Sequence, residues 1–129
     1  MYSFDETAEA LDEIARSLPE EIYRDLNGGV NLILDEKAHP SGDGMFILGE
    51  YRRDSHLGRF INIYYGSFMR LFADLPPDKL RERLRETLTH EFTHHLESMA
   101  GERDLEIEDA MKLRDYAMRR EAIRKKNRD

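Results

Sequence analysis

The sequence has 129 residues, 40% of them hydrophobic and 36% charged, which fits one domain with a single core and a strongly solvated surface. It contains no cysteine, which excludes disulfides, thiolate ligands and thiol nucleophiles, so any metal must be bound by His, Asp or Glu. The formal net charge of −7 argues against a general nucleic-acid-binding protein.

The charge is unevenly distributed along the chain. Residues 112–129 carry eight basic and three acidic side chains, which leaves a charge of −12 on residues 1–111. We interpret residues 119–129 as a basic helical tail, because cations suit helix C-termini, with contact to an acidic partner as the alternative. No apolar stretch approaches the length of a membrane span or a signal peptide, so we expect one soluble, cytoplasmic domain over residues 1–129.

Two helices are predicted at the N-terminus. Residues 3–18 have apolar side chains at helical spacing, and Ser3 with Glu6 forms a capping box at the start. A shorter helix is predicted at about residues 20–26, between Pro19 and the glycines that follow Asn27.

Strand patterns follow, separated by turn residues. Residues 30–34, 45–52 and 60–65 are strand candidates, the segment 37–44 reads as a loop, and 54–58 indicates a hairpin. We therefore expect a sheet of three or four strands, followed by a short helix at residues 67–73.

The strongest helical pattern covers residues 78–100. An apolar residue recurs at every fourth position, and this stripe consists of Leu80, Leu84, Leu88, Phe92 and Leu96. Gly101 predicts the end of this helix, and a last helix is expected at about residues 105–125. The order of helices, strands and helices predicts an α+β fold.

The long helix carries the pattern HExxH in the segment His90-Glu91-Phe92-Thr93-His94. Residues four apart lie on one helix face, so the two imidazoles can reach one ion at about 2 Å from each ring nitrogen. Glu91 is rotated by about 100° and can approach a metal-bound water without being a ligand. We therefore predict one zinc ion per chain, bound by His90 and His94, with Glu91 as general base. Other divalent metals suit the same ligand types.

A catalytic zinc usually has a third protein ligand. A glycine at 101 would let the chain double back, which favours Asp104, although a turn or N-cap role is the alternative for that residue. Glu97, Glu106 and Glu108 compete with it. Glu97 shares the histidine face, but three ligands on one straight helix would spread over about 10 Å.

These residues resemble the motif of the minimal zincin-like metallopeptidases, small bacterial zinc peptidases, in which HExxH is followed by a second His and by Gly-x-x-Asp. Here the second His is His95, and Gly101 and Asp104 complete the motif. The resemblance covers most of the chain and implies a small zincin-like domain, zinc binding by His90, His94 and Asp104, and a catalytic Glu91. The glycine follows the second ligand by seven residues, and by three in the plainer members, a difference of about one helical turn.

The resemblance also indicates where a substrate would bind. In zincins generally, the strand nearest the active-site helix pairs with an extended substrate, and residues 60–65 are the candidate. Tyr64 or Tyr65 could donate a hydrogen bond to the developing oxyanion, whereas packing within the strand is the more common use of such tyrosines. His95 would either orient a metal ligand or serve as a packed or surface histidine.

The predicted function is hydrolysis of a peptide or protein substrate by a zinc metallopeptidase. One alternative is a non-catalytic, zinc-bound peptide- or protein-binding module in which the metal stabilises the fold. Another is a metal-dependent hydrolase of a different substrate such as RNA, against which the acidic charge argues. The glutamate of the motif favours catalysis, because a structural zinc site has no need of it.

Overall fold

The computed structural model describes the backbone of residues 2–125 and the side chains of residues 2–102. In chain order, the elements are α1 (Phe4–Ser17), a 3-10 turn (Glu20–Tyr23), β1 (Gly29–Ile33), β2 (Gly49–Asp54), β3 (Gly58–Tyr64), α2 (Tyr65–Phe72) and α3 (Pro77–Lys125). The predicted α+β class is confirmed. The chain divides into two units, Met1–His95 and Leu96–Asp129, and the description that follows concerns the first.

The sheet has three strands in the order β1-β3-β2, with β1 parallel and β2 antiparallel to β3. Asp54 pairs with Gly58, and the Asp54 carboxylate accepts hydrogen bonds from two backbone N–H groups of the turn, which confirms the predicted hairpin. Because β3 is paired on both sides, the prediction that residues 60–65 form a substrate-binding edge is wrong. The edges of the sheet formed by the described residues are β1 and β2.

The core forms where α3 packs on β3. Leu84 and Leu88 of α3 and Ile61 and Ile63 of β3 are fully buried, and Leu11 and Ile14 of α1 belong to the same cluster. Burying a large aliphatic side chain contributes roughly 1.5–3 kcal/mol, so this stripe fixes which face of α3 points inward. The stripe ends at Phe92, because Leu96, predicted to continue it, is 46% exposed.

Several predicted boundaries shift by a few residues. The capping box of α1 is confirmed by reciprocal bonds between Ser3 and Glu6 of 2.8 and 3.1 Å. The helix predicted at residues 20–26 is a single 3-10 turn, and α2 begins directly after β3. Strand β2 begins at Gly49 and not at residue 45, because Phe46 bridges to Ala38 in the preceding loop.

The prediction that Gly101 ends the long helix is wrong. Helix α3 continues from Pro77 to Lys125, and Gly101 is not among the glycines with positive φ. A glycine inside a helix costs about 1 kcal/mol relative to alanine, which good helix formers on either side can offset. The separate last helix predicted at residues 105–125 is therefore part of α3. No helix among the described residues is long and apolar enough to cross a membrane.

Replacing Gly101 by alanine tests this continuity. A Cβ at this position meets no heavy atom within 4 Å, so Gly101→Ala should raise the helical content and stabilise the protein by about 0.5–1 kcal/mol. Circular dichroism during urea unfolding measures both effects. A loss of stability would instead indicate that the helix ends at Gly101 in a left-handed conformation.

Candidate functional site

Two imidazoles converge on the surface of α3. The Nε2 atoms of His90 and His94 are 3.1 Å apart, the ring planes meet at 82°, and both residues are exposed. The helix dictates this arrangement, because four residues make slightly more than one turn and place both side chains on one face. The structure thus brings together the two histidines that the sequence predicted as ligands.

The two histidines fit part of a zinc site. Two nitrogens 3.1 Å apart can both lie about 2 Å from a single ion, and the same separation also fits a hydrogen bond between the rings. Among the residues whose side chains are described, no group of three His, Cys, Asp or Glu could hold a metal. This finding gives no support to Glu97 as a third ligand. Asp104, Glu106 and Glu108 lie outside the described side chains, and the turn at Gly101 that favoured Asp104 is absent.

Glu91 lies beside the imidazoles but faces inward. It is 7% exposed, and burial raises the pKa of its carboxyl group, against the opposing effects of His90, of His94 and of a backbone hydrogen bond from Tyr51. Burial disfavours the charged carboxylate, whereas the positive histidines and the N–H donor favour it. This environment makes Glu91 a stronger base than an exposed glutamate.

His95 is a packed histidine. It is fully buried, with Nε2 2.8 Å from the carbonyl oxygen of Arg24 and Nδ1 2.9 Å from the hydroxyl oxygen of Tyr51. Neither nitrogen is bonded to His90 or His94, so of the two predicted roles the geometry favours packing over direct orientation of a ligand.

The two tyrosines predicted at the substrate site have partners within the fold. The hydroxyl of Tyr64 donates to Glu50 at 2.8 Å, and that of Tyr65 donates to the backbone carbonyl of Tyr2 at 2.9 Å. Burial opposes ionisation of Glu50, but hydrogen bonds from Lys37 and Tyr64 outweigh it and lower the pKa of this carboxyl group. These contacts favour packing and ion-pair roles for both tyrosines over oxyanion binding.

The residue that the sequence prediction missed is Tyr51 on β2, which reaches both Glu91 and His95. Its contact with the helix depends on β2 lying at the sheet edge beside α3, which a single strand pattern does not reveal. One signal was present in the sequence, namely the second pair of residues four apart, Glu91 and His95, next to the pair of histidines.

A groove of about 910 Å³ lies elsewhere, on α1 and β1. Its lining includes Leu11, Tyr23 and Leu32 but none of the motif residues. The motif lies on an open surface, where exposed histidines can take up an ion without a deep cavity.

Neither family models nor curated proteins match this chain. One solved structure is similar to it, that of the conserved hypothetical protein TTHA0227 from Thermo thermophilus, with 31% identity and a TM-score of 0.69. The match covers 78% of this chain and 99% of that one. The chain belongs to the family of TTHA0227. Because the family relative is described as a hypothetical protein, membership carries the fold and adds no activity.

The convergence of the imidazoles makes a prediction about metal binding. His90→Ala and His94→Ala should each weaken zinc binding by at least about 100-fold, because each removes one direct ligand. Calorimetric titration with zinc measures the affinity. His56→Ala is the matched control, since His56 is an exposed residue of the β2–β3 hairpin and should leave the affinity unchanged. Equal affinity in all three variants would contradict the site.

Proposed function

We propose that this protein is a zinc-dependent peptidase with a zincin-like arrangement of its active-site helix. The observation that carries the proposal is the pair of Nε2 atoms 3.1 Å apart on α3, with a buried carboxylate at the next position of the same helix. Zinc would be held by His90 and His94, together with a third ligand from beyond the described side chains. When bound, the ion would polarise a substrate carbonyl and acidify water.

Glu91 supplies the base in this proposal. Its carboxylate lies between the protein interior and the exposed histidines, where it can accept a proton from the attacking water and later give it to the leaving amine. The raised pKa caused by burial supports this role, because a base is most effective when its pKa approaches the working pH. Structural zinc sites use four protein ligands and need no adjacent carboxylate, which favours catalysis over a purely binding role.

An extended substrate would lie along β2 in place of the strand first predicted. An incoming peptide can pair only with an edge strand, and β2 is the edge whose backbone contacts Glu91. Pairing there would bring a scissile bond beside the carboxylate. A peptide or unfolded protein segment is therefore the substrate class that we propose.

The test of the mechanism is Glu91→Gln. The amide keeps the shape of the side chain but cannot act as a base, so kcat should fall by about 10²–10⁴-fold while the zinc content stays unchanged. Cleavage of a diverse peptide library, followed by mass spectrometry, measures the activity. Glu86→Gln is the matched control, because Glu86 is an exposed glutamate on the same helix.

Full cleavage by Glu91→Gln would contradict the role of Glu91. A wild-type protein that binds zinc and peptides but cleaves none would instead support the binding-module alternative.

The third ligand is tested by metal analysis of Asp104→Ala beside Glu97→Ala. We expect Glu97→Ala to retain zinc, because Glu97 joins no metal-binding group among the described side chains. Loss of zinc in Asp104→Ala would assign the ligand implied by the family resemblance. Retention of zinc in both variants would direct the search to Glu106 and Glu108.

A further inference from the structure

Helix α3 carries a second pair of residues four positions apart beside the histidine pair. Glu91 and His95 follow His90 and His94 by one position each, so the second pair is rotated by about 100° around the helix. The first pair is exposed and the second is buried. Both members of the buried pair contact the same residue of β2, Tyr51.

The orientation of the backbone allows the first of these contacts. The N–H of Tyr64 donates to the carbonyl of Leu48 at 2.9 Å, and hydrogen-bonded pairs alternate with non-hydrogen-bonded pairs along an antiparallel ladder. In this register Tyr51, opposite Ile61, is a non-hydrogen-bonded position, so its N–H points away from β3. That N–H donates to the Glu91 carboxylate.

The second contact has a defined direction. A carbonyl oxygen only accepts, so the Nε2 of His95 carries the proton donated to Arg24, 2.8 Å away. The Nδ1 of the neutral ring is then an acceptor, and it receives the hydroxyl proton of Tyr51 at 2.9 Å. Tyr51 is thus held by α3 at both its backbone and its side chain.

We propose that Tyr51 and His95 are positioning residues that fix the Glu91 carboxylate relative to His90 and His94, an inference that rests on the proposed peptidase function. The Tyr51 N–H uses only part of the acceptor capacity of the carboxylate, which leaves the remainder for the proton that the base removes. Because β2 is an edge strand held by one neighbour in the sheet, the His95–Tyr51 bond supplies the second restraint on that N–H. Loss of the Tyr51 hydroxyl should therefore disturb the base and leave the metal ligands in place.

The kinetic test compares Tyr51→Phe with the wild type. We expect kcat to fall by about 10-fold, within the range for residues that orient catalytic groups, while KM and zinc content stay within about two-fold. Tyr23→Phe is the matched control, because the Tyr23 hydroxyl donates to a backbone carbonyl of α1, remote from Glu91. This control should keep full kcat.

A double-mutant cycle separates positioning from general destabilisation. If Tyr51 acts through Glu91, Tyr51→Phe should have no further effect on the residual rate of a Glu91→Gln background. The same fold-change in both backgrounds would mean that the hydroxyl acts elsewhere and would overturn the proposal.

A measurement independent of activity completes the test. In proton–nitrogen spectra of the metal-free protein, the Tyr51 amide resonance should move in Glu91→Gln and in Tyr51→Phe, and should stay in place in Tyr23→Phe. An amide resonance that ignores Glu91→Gln would overturn the positioning role. A wild type with no peptidase activity contradicts the proposed function, whereas an active wild type whose Tyr51→Phe variant keeps full kcat contradicts only the role of Tyr51 and His95.

Discussion

The packing of α3 on β3 is the constraint on which the candidate site depends. Leu84, Leu88 and Phe92 are at most 2% exposed and pack into one cluster with Ile61 and Ile63 of β3. Once this stripe points inward, the helical period determines where every other side chain of this helical segment lies. The two motif histidines point to solvent, and Glu91 and His95 occupy the boundary between core and surface.

The boundary position explains how a buried glutamate is tolerated. Moving a carboxylate out of water is costly unless hydrogen bonds and opposite charge compensate for it. Glu91 receives an N–H bond from Tyr51 and lies near both imidazoles, but burial still dominates and raises the pKa of its carboxyl group. His95, also buried, avoids the same cost in a different way, because it is bonded at both nitrogens.

Features set by local sequence were predicted well, and features set by long-range pairing were not. The capping box at Ser3 and the convergence of His90 and His94 follow from helical geometry alone. The central place of β3 depends on which strands pair across the sheet, which the pattern of one strand cannot specify. The break expected at Gly101 failed for another reason, since a cost of about 1 kcal/mol is too small to end a helix that its neighbours favour.

The burial pattern also selects among the glutamates of α3 that could serve as a base. Glu86 and Glu97 are both exposed, so water surrounds their carboxylates and weakens any interaction with a neighbouring group. Glu91 is the residue whose rotation from the histidine face directs it toward β2, where the strand excludes part of the solvent and offers a fixed donor. A carboxylate at this position can reach the solvent-facing imidazoles and still be oriented by the protein interior. The second position of the motif therefore suits a glutamate because of the strand it faces as much as because of the histidines beside it.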